Sequence, residues 1–112
     1  MFFLILSLLI SPVFLIACPF CYGGTAKTHQ AFYEDEHVLG IYPHKPMHEY
    51  HILVLPKRHV ERFEDLDDQE LLAMHHLIQK VQKKIFALAG LNDYFILQKN
   101  GKSAGQSVPH IH

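Results

Sequence analysis

Residues 105–112 read Gly105-Gln106-Ser107-Val108-Pro109-His110-Ile111-His112, and they concentrate the groups in this chain that can do chemistry. In an extended strand, alternation sends His110 and His112 to one side, about 7 Å apart, while Ile111 points into the opposite layer. Two imidazoles on one face suit either of two chemistries. A neutral imidazole is a nucleophile toward a phosphate ester near pH 7, and His-x-His on a strand is equally a bidentate zinc pair. The Gly105-Gln106-Ser107 turn just upstream offers backbone N–H groups, an amide and a hydroxyl, which are the donors an anion needs. These residue types suit holding a phosphate beside a histidine.

A second constellation is Cys18-Pro19-Phe20-Cys21. Its C-x2-C spacing serves a metal knuckle, a redox pair or a disulfide. The preceding Leu15-Ile16-Ala17-Cys18 is similar to a bacterial lipobox, in which Cys18 would be lipidated and could not act as a thiolate ligand. Of the ten histidines, His29, His37, His44, His48, His75 and His76 have no spacing that demands a metal and read as polar surface. Lys57 and Arg58 read as turn and surface charges.

Several elements must position these groups. Asp67 is a good N-cap, Glu70 three residues on completes a capping box, and Gly90 is a good C′ residue, so a long helix is expected between them. Leu71, Met74, Ile78, Val81, Ile85 and Leu88 would form its apolar stripe, serving as core or as a dimer face. Tyr33 to Tyr42 reads as paired strands around the acidic Glu34-Asp35-Glu36 turn, and His51 to Leu55 as a buried strand ended by Pro56. Asp93 to Gln98 and Ser107 to His112 are two further expected strands, the last interrupted in its hydrogen bonding by Pro109. Strands with one long helix and no βαβ alternation predict an α+β fold with an antiparallel sheet.

With 112 residues, 49% of them hydrophobic and 19% charged, the chain suits one compact domain. A formal net charge of -1 gives no cationic field for a nucleic-acid polymer. Residues 1–17 carry no charged side chain and read as a signal or membrane-anchor segment, leaving 18–112 as the folded domain. That expectation makes the protein exported, lipid-anchored or membrane-associated. The alternative is a cytoplasmic protein with an extended start, since Lys and Arg are missing from the first residues and Pro12 interrupts any helix.

The 105–112 stretch resembles the signature of the histidine triad (HIT) superfamily, in which Gly-Gln-Ser/Thr-Val leads into His-x-His-x-His. Tyr33-Glu34-Asp35-Glu36 is similar to an early strand of that family, His51-Ile52-Leu53-Val54-Leu55-Pro56-Lys57-Arg58-His59 to its HxLVxPKxH segment, and Asn100-Gly101 to the NG before its phosphate loop. The resemblance implies the family's antiparallel α+β fold and an enzyme acting on purine nucleotides, as a phosphoramidase or dinucleoside-polyphosphate hydrolase. It implies His112 as the nucleophile on the α-phosphorus, with a nucleotidyl-histidine intermediate. Ser107 and the Gly105-Gln106 backbone would hold oxygens, Gln106 would face the leaving group, and Asn100 would contact ribose or phosphate. His51, chosen over His48 by register, would back the nucleophile. A zinc-binding subset of the family further implies a structural site of Cys18, Cys21, His59 and His110. The resemblance also predicts a third histidine two residues past His112, so a chain cut there is expected to be impaired or a fragment. A non-catalytic, zinc-stabilised nucleotide-binding module or an inactive membrane-tethered fragment is the competing expectation, and a homodimer is the further partner to be tested.

Overall fold

The computed structural model describes residues 18–21 and 30–112. The apolar segment 1–17 and the turn expected at Gly23-Gly24-Thr25 lie outside the described residues. Among the described residues, no helix is long and apolar enough to cross a membrane.

Strands β1 (Ala31–Glu34) and β2 (Val38–Ile41) form an antiparallel hairpin, with Tyr33 opposite Gly40 and Glu34 opposite Leu39. The acidic turn between them closes because Asp35 Oδ1 accepts the N–H groups of His37 and Val38, both at 2.8 Å. Tyr33 Oη donates to the other carboxylate oxygen at 3.1 Å, so the Asp side chain does the work of a backbone turn. Strand β3 (Leu53–Pro56) lies antiparallel to β2 on its far side, giving the order β1-β2-β3.

Being central, β2 is buried on both faces. Alternation sends Val38 toward the helix, where it packs with Met74 and Leu77, while Leu39 and Ile41 pack with Leu55 and Phe20 on the opposite face. Gly40 occupies the helix side where the layers meet most closely. A Cβ there would lie 2.8 Å from Phe32 Cζ and 3.2 Å from Leu77 Cδ2.

Helix α1 (Asp68–Ala89) begins and ends where its caps demand. Glu70 N–H donates to Asp67 Oδ1 at 2.7 Å, Asp67 N–H donates to Glu70 Oε1 at 3.0 Å, and Gly90 takes the left-handed conformation at φ 70°. The buried face differs from the expected stripe. It runs through Glu70, Met74 and Leu77, with Ala73 and Val81 partly covered, whereas Leu71 and Leu88 face solvent. Three short strands cover the first half of a 22-residue helix and leave the second half beyond the sheet. Glu70 can be buried because Arg58, leaving β3, donates Nε to Oε2 at 3.1 Å and Nη2 to Oε1 at 2.7 Å. Arg58 thus joins the sheet to the helix and is more than the turn charge its position suggested.

Two expected strands are not formed. Residues 93–98 run without ladder partners among the described residues, and Tyr94, Phe95, Ile96 and Leu97 are all more than half exposed. At 107–112, His110 N–H donates back to the Val108 carbonyl at 2.8 Å, a three-residue turn around Pro109 that suits the fixed φ of proline. The chain then attaches through Ile111 N–H to the Val60 carbonyl at 2.7 Å, with Ile111 fully buried.

Candidate functional site

The Pro109 turn places His110 in the core, where its ring is fully buried. Its Nε2 lies 2.7 Å from the Pro56 carbonyl oxygen, which can only accept, so Nε2 carries the proton and Nδ1 keeps its lone pair. Burial pushes the His110 pKa down, against the opposing pull of that carbonyl, and the ring stays neutral. The bare Nδ1 looks onto sulfur: Cys18 Sγ is 3.5 Å away and Cys21 Sγ 3.6 Å. His59, in the turn after β3, brings its Nδ1 to 3.2 Å from Cys21 Sγ, while its Nε2 lies 3.7 Å from Glu61 Oε1.

The donor atoms of Cys18, Cys21, His59 and His110 all lie within 4.8 Å of one another, close enough to hold one metal ion. Two sulfurs and two imidazole nitrogens are the donor set of a tetrahedral structural zinc site. The His110 Nε2–H bond to a backbone carbonyl is the usual outer support of a ligating imidazole. Burial, followed by the hydrogen bond and charge of neighbouring Cys18, raises the Cys21 thiol to about 11. A divalent cation between the sulfurs would reverse that, since it binds thiolates. The residues therefore fit the ion.

His112 sits half-buried beside this cluster. Its Nδ1 donates to the His110 carbonyl at 2.8 Å, so in the neutral tautomer this fixes, the lone pair is on Nε2, which has no partner among the described residues. Phe20, between the two cysteines, packs edge-on against both imidazoles, with ring centroids 5.1 Å from His112 and 5.9 Å from His110. His110 and His112 thus meet a common neighbour on the sheet face away from the helix.

The loop ahead of them is built by its own amides. Gln106 Oε1 accepts the Gly101 N–H and its Nε2 donates to the Glu61 carbonyl, each at 2.7 Å. Asn100 Oδ1 accepts the Phe63 N–H at 2.7 Å, and its Nδ2 donates to Gln98 Oε1 at 2.6 Å. Both side chains thus shape the loop. Gly101 at φ 89° and Gly105 at φ 88° occupy a region other residues avoid. Gly105 N–H closes a short turn onto the Lys102 carbonyl at 3.0 Å, and both serines of the loop, Ser103 and Ser107, are exposed.

His51 Nδ1 accepts the Met47 N–H at 3.0 Å and fixes the loop before β3, while His112 Nδ1 has the His110 carbonyl as its partner. Lys99 was not singled out by sequence. Its Nζ lies 3.4 Å from where a Gly105 Cβ would be, setting an ammonium against the loop; a lone lysine in a polar run carries no signal of this.

The HIT domain family model matches residues 25–112. An uncharacterised HIT-like protein of Methanocaldococcus jannaschii is 43% identical over 82 residues, covering 71% of this chain and 61% of that protein. The adenosine 5'-monophosphoramidase hnt1 of Schizosaccharomyces pombe is 37% identical over 67 residues, 60% of this chain and 47% of the enzyme. Among solved structures, the Plasmodium falciparum diadenosine triphosphate hydrolase in complex with Cyclomarin A superposes with a TM-score of 0.68 at 27% identity, over 73% of this chain and 56% of that one. The chain therefore spans between about half and three fifths of the length of these relatives.

Proposed function

The chain belongs to the HIT family, and we propose that it hydrolyses purine nucleotides at the α-phosphate, as a phosphoramidase or dinucleoside-polyphosphate hydrolase. The observation that carries this reading is the His112 ring, whose Nδ1–H is fixed on the His110 carbonyl at 2.8 Å so that Nε2 presents a lone pair. Nε2 attacks the α-phosphorus, the N–P bond forms, and the bond to the amine or phosphate leaving group breaks as that group takes up a proton from solvent. Water then attacks the same phosphorus and gives up a proton to solvent, the N–P bond breaks with its electron pair returning to Nε2, and the nucleoside monophosphate leaves. Ser107 and the glycine-bounded loop face the phosphate oxygens, while Asn100 and Gln106 act by holding that loop in shape.

We further propose that Cys18, Cys21, His59 and His110 hold one structural zinc, which would supply a clamp between the CxxC turn, β3 and the segment bearing His112. A thiolate ligand at position 18 excludes lipidation there. The exposed Tyr94–Leu97 run supports a second copy of the chain as a partner.

Adenosine 5'-monophosphoramidate and diadenosine triphosphate are the substrates to assay, with mass spectrometry of the quenched reaction to locate an adenylyl group. Turnover with the adduct on His112, and a loss on the order of 10⁴-fold in His112→Asn, is expected. Nucleotide binding with no turnover would return the protein to a binding module, and an adduct on His110 would reassign the nucleophile.

A further inference from the structure

We infer that Phe20 is a positioning residue for His112, holding the plane of the attacking imidazole; this rests on His112 being the nucleophile. The hydrogen bond from Nδ1 to the His110 carbonyl fixes one atom of the ring. It leaves the ring free to tilt about that contact, because the outer torsion of histidine has a broad, roughly two-fold profile. A second contact is needed to point Nε2 in one direction. Phe20 provides it, at 5.1 Å between centroids and 68° between planes, inside the range of edge-to-face aromatic pairs.

The same phenyl ring lies 5.9 Å from His110 at 88°, so it abuts both imidazoles of the pair. Phe20 is itself immobilised. It is 8% exposed and packs with Leu39, Ile41 and Leu55, and it sits in a turn closed by Cys21 N–H to the Cys18 carbonyl at 3.1 Å. The two cysteines that bracket the turn, Cys18 and Cys21, carry the sulfurs facing His110. The CxxC turn therefore reaches the reacting nitrogen through a phenyl ring, without Phe20 touching the phosphorus.

Phe20→Leu keeps apolar volume and removes the ring. The expected result is a drop of about tenfold in kcat with KM within about twofold, because reaction geometry is lost and substrate contacts are not. Histidine-selective NMR of the wild-type protein supplies a readout independent of activity and of the variant's folding. The His112 ring protons should show nuclear Overhauser contacts to the Phe20 ring and an aromatic ring-current shift. Substituting 4-fluorophenylalanine at position 20, which retains the ring, should keep both kcat and that shift. Absence of the Phe20–His112 contact in the wild type overturns the inference whatever the kinetics show. So does an unchanged kcat in Phe20→Leu, and a raised KM at constant kcat would instead put Phe20 in substrate binding. A wild-type protein that shows the contact but turns over no nucleotide removes the proposed reaction and with it any catalytic purpose for the contact.

Discussion

At the scale of single residues, two backbone carbonyls decide the chemistry of two histidines. The Pro56 oxygen accepts the His110 Nε2–H and turns Nδ1 toward the sulfurs, whereas the His110 oxygen accepts the His112 Nδ1–H and leaves Nε2 as the free nitrogen of the neutral ring. On the proposed reading, one imidazole is thereby prepared as a ligand and its neighbour as a nucleophile. If the sulfur and imidazole donors hold zinc, metal analysis after dialysis should give one zinc per chain, and Cys21→Ser should lose most of it. That variant should also unfold at lower temperature, since a structural ion contributes folding free energy directly. A stoichiometry near zero in the unmodified chain defeats the zinc reading. The sequence made this grouping legible through the CxxC spacing and the two family-like histidines. It gave no sign of the tautomers, which depend on carbonyls 54 and 2 residues away along the chain.

Among the elements, α1 was the most readable and also the most instructive. Asp67, Glu70 and Gly90 mark its ends in the sequence and cap it in the structure. Its buried face was misread because a charged residue was excluded from it: Glu70 is 3% exposed, and the partner that permits this, Arg58, lies twelve positions upstream in another element. The hydrogen bonds from Arg58 hold the Glu70 carboxyl below the usual carboxylate range. Its contribution is thus complete above the unfolded value of about 4.3 and is lost as the pH falls through the lower folded value. Glu70→Gln can still close the capping box but loses the ion pair. It should cost about 1 to 2 kcal/mol in urea unfolding at pH 7, a difference that shrinks toward pH 3 as the wild-type carboxyl protonates. An equal deficit at both pH values would show that the charge is irrelevant. The strands expected at 93–98 and 107–112 failed for a different reason. Their composition favours extended backbone, but a strand also needs a neighbour, and composition does not provide one.

At the scale of the whole molecule, the antiparallel α+β architecture, three strands with one long helix, agrees with the HIT-like fold. The run Tyr94-Phe95-Ile96-Leu97 is where apolar side chains and a row of unpaired backbone groups face outward together. Such a segment favours pairing with a second copy. Sedimentation should show concentration-dependent association of the chain, and Phe95→Lys with Ile96→Lys should shift it toward monomer. Association that is indifferent to both changes would place the contact elsewhere.

The approach of Cys18 to His110 spans 92 positions, whereas Cys21 and His59 are separated by 38. Closing the longer loop costs only about 0.6 kcal/mol more per doubling of length, yet it must wait for more of the chain to be ordered. Three of the four donors can therefore gather before the fourth arrives, and docking of the 108–111 segment becomes a late event. Changes there, such as Ile111→Val, should then speed unfolding more than they slow folding. In a cell, the 108–111 segment would then dock onto a scaffold that the CxxC turn and His59 had already formed.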